Sequence, residues 1–289
     1  MFDIYTKSQE LANNPHIKAF LKKYGLEPSI MTKKISPFLD YEESINKCDN
    51  CKGLQYCKQA KTGEHISLNY DGEVFNEVSY CGYYLEKQKK DKILNNFVRN
   101  DIPKEYENLT LENVELVDGK ISSLNNLCID IADDVRKKGL YIRGDLGVGK
   151  TYMCYALANS LARKGKKVAF IKTNLFVNTM RKLVTVDGEE YDKTLSKIKN
   201  VEYLILDDIG SESVSSYSRD DLLFNILDYR MEHKLLTVFT SNLDKEALRV
   251  HYTYDKKDNS SIVRAKRLWE RIDILSDDFV LTGKNKRRP

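Results

Sequence analysis

LYIRGDLGVGKTYMCYALANSLA, residues 140–162, is the stretch from which the rest of the chain is read. A short apolar run, Leu140 to Arg143, enters the turn Gly144-Asp145-Leu146-Gly147-Val148-Gly149-Lys150-Thr151. That turn fits GxxxxGKT, and a helical pattern follows it. Strand, glycine-rich turn and helix, in that order, are the context a phosphate-binding loop requires. Glycines let the backbone wrap closely around phosphate, and the turn's N–H groups and the helix N-terminus offer a favourable field to anions. Lys150 is expected to reach the β and γ phosphates and the Thr151 hydroxyl to ligate Mg²⁺, with Tyr152 next in the helix. The segment predicts an ATP or ADP site.

Downstream, Leu204-Ile205-Leu206-Asp207-Asp208 is a buried-looking strand ending in two carboxylates. Asp207 is placed to face the Mg²⁺ shell and Asp208 to polarise, or take a proton from, the attacking water. The strand LLTVFTSN ends at Asn242, a candidate for holding that water and sensing the γ-phosphate; the plainer alternative is a cap on the helix LDKEAL. Arg267 and Arg271 share one face of the helix RAKRLWERI, from which one of them could enter a neighbouring subunit's site. Arg287 or Arg288 could act from within the chain.

Around these motifs, SLNNLCIDIADDV reads as a helix, KVAFIKT as a strand, DDLLFNILDYRMEHK as a helix and DFVLTG as a closing strand, with HYTYDKKDNSSIV as a polar loop. Alternating apolar strands and helices predict an α/β fold, a parallel sheet covered by helices on both faces. Strand order is not readable this way. The 289 residues suggest two domains. An N-terminal one is expected over 1–100 and the nucleotide-binding one over 101–289, with LEKQKKDKILNNFVRN as a charged helix or linker between them.

The N-terminal part opens with a small helical element striped by Ala12, Ile17, Phe20, Leu21 and Tyr24. It then changes to cysteine pairs, glycine and short runs such as VFNEVSY. Cys48, Cys51, Cys57, His65 and Cys81 are five candidate ligands for a normally four-coordinate Zn²⁺ site. Cys48, Cys51 and Cys81 come first, and His65 and Cys57 compete for the fourth place. In so small a module the metal would supply much of the folding energy. Cys128 and Cys154 stand apart in apolar surroundings, as buried structural thiols.

A hydrophobic fraction of 41%, a charged fraction of 31% and a net charge of +4 suit a soluble protein and do not by themselves mark a nucleic-acid binder. No run approaches the roughly 18 apolar residues of a membrane span. The opening MFDIYTKSQELANNPH lacks a secretory pattern, so a cytoplasmic protein is expected. The basic GKNKRRP is either a phosphate-facing or a solubilising tail.

Taken together, the cysteine module, IPKEY, GDLGVGKT, YLILDDIGSE, YSRDDLLFNILDYRM, TVFTSNL, AKRLWERI and LTGKNKRR resemble the bacterial replicative helicase loaders of the DnaI/DnaC class of AAA+ ATPases, more closely the Gram-positive DnaI type. The resemblance covers nearly the whole length. It implies an AAA+ domain lacking a helical lid, preceded by a zinc module that binds the hexameric replicative helicase. It also implies ATP-dependent delivery of that helicase onto single-stranded DNA, self-association, and contact with other primosome proteins. By resemblance Lys150 and Thr151 are the phosphate-loop pair, Asp207 and Asp208 the Walker B acids and Asn242 sensor 1. Arg271, with Arg267 as rival, is the arginine finger, Arg287 is sensor 2 and His65 the fourth zinc ligand. Transposition-helper ATPases share the core but generally lack such a cysteine module. An adaptor that binds nucleotide without productive hydrolysis is the other alternative.

Overall fold

In a computed structural model, residues 3–253 and 259–286 are described. The chain divides into two compact units, Met1–Lys92 and Ile93–Pro289.

The first unit contains helices α1 (Ile4–Asn13), α2 (Pro15–Tyr24), α3 (Ile30–Lys33) and α4 (Ser36–Cys48), then an antiparallel hairpin of β1 (Glu64–Tyr70) and β2 (Val74–Tyr80). Helix α2 shows why the local sequence folds. Asn14 caps its first turn, Pro15 takes the first helical position, and Gly25 ends it in the left-handed conformation at φ 63°. Ile17, Phe20 and Leu21 fall on one face and pack with Leu11, Met31, Phe38, Leu68 and Val74 into this unit's core. Each such side chain, fully buried, contributes about 2 kcal/mol. Helix α5 (Gly82–Leu94) follows the hairpin.

The second unit is an α/β domain. Its elements are β3 (Phe97–Asn100), α6 (Gly119–Ala132), β4 (Gly139–Arg143), α7 (Lys150–Arg163), β5 (Val168–Lys172), α8 (Thr173–Val186), α9 (Gly188–Asn200) and β6 (Tyr203–Asp207). A π-helical segment (Tyr217–Phe224) then runs into α10 (Asn225–Glu232), followed by β7 (Leu236–Ser241), α11 (Lys245–Tyr252), α12 (Asn259–Leu275) and β8 (Ser276–Val280). The six strands lie in the order β3-β5-β6-β7-β4-β8, all parallel. Successive strand residues alternate between two cores. Leu140, Ile142, Phe170 and Ile205 pack with α6 and α7 on one face, while Tyr141, Ile171, Leu204 and Leu206 pack with α8, α10 and α12 on the other. No helical subdomain follows β8 among the described residues.

The two units meet earlier in the chain than the expected boundary near residue 100. Residues 97–100, within the stretch expected to be helix or linker, are instead the edge strand β3, because their backbone pairs with β5.

Two arginines are buried in this domain. Arg230, on α10, donates to the carbonyls of Lys199 (3.1 Å) and Val201 (2.6 Å) at the end of α9, to Leu236 O (2.7 Å) and to Thr237 Oγ1 (2.9 Å). It holds the orphan carbonyls of a helix end against the start of β7. Burial lowers its pKa to about 9. Arg219 donates to the carbonyls of Tyr252 (3.0 Å) and Ser261 (3.2 Å), tying α11 to α12. No helix of the described residues is long and apolar enough to cross a membrane.

Candidate nucleotide-binding site

In an open parallel sheet, ligands bind beyond the carboxyl ends of the strands. Here β4, β7 and β6 are neighbours, and their tips bring together the loop Gly144–Thr151, Asn242 and the pair Asp207–Asp208. Lys150, the first residue of α7, donates from Nζ to Gly144 O (2.7 Å), Asp145 O (2.9 Å) and Asn242 Oδ1 (2.8 Å). Thr151 Oγ1 donates to Asp207 Oδ1 at 2.9 Å, and Thr240 Oγ1 donates to the same oxygen at 2.7 Å. Burial pushes the Asp207 carboxyl up from its ordinary value, partly offset by these two hydroxyls.

Asp208 turns the chain after β6 in the left-handed region, φ 57°, and its N–H donates to Thr240 Oγ1 at 2.8 Å. Asn242 Nδ2 donates to Asp208 Oδ1 at 3.1 Å. One amide therefore links the loop lysine to the second carboxylate. The cap of α11 is Asp244, whose carboxylate accepts from Ala247 N at 2.7 Å, so capping is not what Asn242 does.

These groups border a cavity of about 580 Å³. Leu146, Gly147, Gly149, Lys150, Thr151, Tyr152, Asp207, Asp208 and Asn242 all line it. Of the remaining loop residues, Gly144 and Asp145 offer carbonyls to Lys150 and Val148 is buried in the core. Residues outside these three motifs also line the cavity. Tyr106, Val114, Glu115, Ile121, Lys172 and Lys286 are among them. Tyr106 stacks on Tyr155 at 5.1 Å, and Asn159 of α7 holds the Tyr106 and Leu109 carbonyls at 2.8 Å each. Val114 and Glu115 come from the segment before α6, Ile121 from the first turn of α6 and Lys172 from the end of β5. Two sequence signals touch this lining: Tyr106 in IPKEY, and Lys286 in the basic GKNKRRP, for which a phosphate-facing role is one of two readings.

Arg267 and Arg271 do not line this cavity. Arg271 Nε donates to Asp228 Oδ1 at 2.8 Å, and both guanidinium groups lie over the Phe224 ring, at 4.5 Å for Arg267 and 5.1 Å for Arg271. Arg287 and Arg288 lie outside the described residues.

In the first unit, Cys48, Cys51, Cys57 and Cys81 line one cavity of about 310 Å³. Gln59 Nε2 donates to Cys48 Sγ at 3.2 Å and the Gly63 N–H to Cys57 Sγ at 3.4 Å. His65 lines the adjoining cavity, which shares Gln59 and Glu64 with the first. Its Nδ1 is buried with no hydrogen-bond partner. Cys81 N–H donates to Gly63 O at 2.8 Å, and His65 sits opposite Ser79, so strand alternation puts His65 and Cys81 on one face of the hairpin. Among the described residues no three His, Cys, Asp or Glu side chains form a group that could hold a metal ion. The candidate ligands instead divide between two adjoining cavities. Cys128 and Cys154 are fully buried in the second unit; burial raises both thiols, Cys128 to about 12.

A phosphate loop, a Walker B carboxylate pair and an intervening strand-tip amide on a parallel sheet define an ATP-binding P-loop domain. Residues 110–264 match the model of the IstB-like ATP binding proteins, and the chain belongs to that family. Its relatives include the replicative helicase loader DnaI of Bacillus subtilis, 29% identical over 97% of this chain and 92% of that one. The replicative helicase loader DnaC of Escherichia coli K12 is 25% identical over 57% of this chain and 68% of its own length. A crystal structure of DnaI superposes with a TM-score of 0.56 at 32% identity, over 69% of this chain and all of that one.

Proposed function

We propose that this protein is an ATP-dependent loader that binds the hexameric replicative DNA helicase and delivers it onto single-stranded DNA. The observation that carries this reading is the reach of the similarity. The family match is confined to residues 110–264, whereas likeness to a helicase loader runs over 97% of the chain and so takes in the cysteine unit. That reach favours loading over a transposition-helper role.

Each phosphate-site residue has a task in this reading. Lys150 exchanges its contacts with the Gly144 and Asp145 carbonyls for the β and γ phosphates. Thr151 and Asp207 offer hard oxygen donors suited to Mg²⁺, which when bound neutralises charge on those phosphates. Asn242, already bonded to both Lys150 and Asp208, positions water between them, and Asp208 accepts its proton. Arg271, with Arg267 beside it, lies outside its own chain's cavity and completes the site of a neighbouring copy, so turnover depends on assembly. Arg287 remains the sensor 2 candidate. In the first unit, Cys48, Cys51, Cys81 and His65 would hold Zn²⁺, with Cys57 as the alternative fourth ligand; the unpartnered His65 Nδ1 supports the histidine, and the cavity that Cys57 shares with the other three thiols supports the alternative. Partners are the helicase, single-stranded DNA, further copies of the chain and other primosome proteins, in the cytoplasm.

The test is phosphate release and helicase deposition on single-stranded DNA, with and without the host's hexameric helicase. Hydrolysis should be slow alone and rise in the mixture, and Arg271→Ala should remove the rise, by about 10³-fold or more, while leaving nucleotide affinity unchanged. Zero phosphate release in every mixture, with helicase still bound, would instead make the protein a nucleotide-binding adaptor.

A further inference from the structure

Beyond β8 the chain turns back onto the phosphate loop. The Leu281 N–H donates to Arg143 O at 2.8 Å, and further on the Lys286 N–H donates to Gly147 O at 3.0 Å. Between these anchors the tail packs against the loop's glycines. A Cβ at Gly144 would stand 2.0 Å from Leu281 O, and one at Gly147 would stand 2.0 Å from Asn285 Oδ1. Two glycines of the GxxxxGKT turn therefore leave room for protein as well as for phosphate. The Cβ position of Gly149 is 3.9 Å from Lys286 Nζ, which puts the ammonium beside the residue preceding Lys150. Leu281 and Lys286 both line the nucleotide cavity.

We propose that Leu281–Lys286 is a wall of the nucleotide site and that Lys286 is a second phosphate-binding cation, acting on the diphosphate shared by ADP and ATP. Loop N–H groups around Gly147 and Gly149 cradle the α and β phosphates, while Lys150 reaches the β and γ groups. An ammonium beside Gly149 adds a charge-assisted contact at the α/β end. Because the tail is bonded to the backbone that wraps the phosphates, nucleotide binding and tail docking stabilise one another by linkage. The inference rests on reading the cavity as an ATP site.

The experiment is equilibrium binding of ATP and of ADP to the full chain, with melting curves to establish that each variant is folded. Lys286→Ala should weaken both nucleotides alike, by about tenfold, as expected for one partly screened charged contact, and Lys286→Arg should restore most of the affinity. Deleting residues 284–289 should weaken both at least as much. Hydrogen exchange at the Lys286 amide should slow when ADP is added. Unchanged or tighter binding by Lys286→Ala, or a loss confined to ATP, would overturn the assignment. Lys150→Ala serves as the control. If wild-type protein fails to bind, or Lys150→Ala binds normally, the nucleotide reading fails independently of the tail.

Discussion

Lys150 is bonded to the carbonyls of Gly144 and Asp145 and to Asn242, and Asn242 in turn to Asp208. These residues were legible because each falls at the tip of an apolar strand or within a spaced motif, and the tips of β4, β6 and β7 adjoin in the sheet. What strand tips alone could not show is that a single amide touches both the cation and the base candidate. Asn242→Ala should therefore leave ATP affinity within a few-fold of wild type while lowering assembly-stimulated turnover by about 10²-fold, as for loss of one preorganised polar group. Single-turnover hydrolysis at saturating ATP measures this, and wild-type turnover would remove Asn242 from the water-positioning role. Val114 and Glu115 line the same cavity but carry no motif or period, and their convergence on it is tertiary.

Strands β4, β5, β6 and β7 were plain in the sequence because strands buried on both faces read as unbroken apolar runs. Strand β3 was not, since Phe97–Asn100 is a half-exposed edge strand following a lysine-rich helix and its strand character comes only from pairing with β5. Arg230 was named only as part of a motif, and nothing local announces that an arginine will be buried as the cap of another helix. Arg230→Ala should destabilise the second unit by about 3 kcal/mol or more, because several buried carbonyls and the Thr237 hydroxyl lose their donor. Denaturant unfolding reads this, and a loss under about 1 kcal/mol would mean that water replaces the guanidinium.

In the cysteine unit the proposed zinc set takes His65 ahead of Cys57 as fourth ligand. Cys48→Ser and His65→Ala should each lose bound zinc and lower the melting temperature of this unit, whereas Cys57→Ser should keep stoichiometric metal. Zinc analysis of the purified variants tests the set; retention by His65→Ala with loss by Cys57→Ser would make it four cysteines.

At the scale of the whole molecule the chain joins a parallel-sheet ATP-binding core to a unit proposed to be metal-dependent and to recognise the partner. The proposal needs both, since a loader must hold a partner and let it go in response to nucleotide. The second unit's class was recoverable from one loop and two strand endings. Its strand order was not, because it is set by contacts between residues far apart in sequence; for the tail the sequence offered a phosphate-facing role only as one of two readings, and the bonds that bring it back to the loop are likewise long-range.

Equilibrium binding of ATP to the full chain in Mg²⁺, compared between wild type and Lys150→Ala, bears most directly on the account. Saturable ATP and ADP binding by the wild type, lost by about 10²-fold or more in a folded Lys150→Ala protein, is the predicted result. Equal affinity in the two proteins, or no affinity in either, would contradict it.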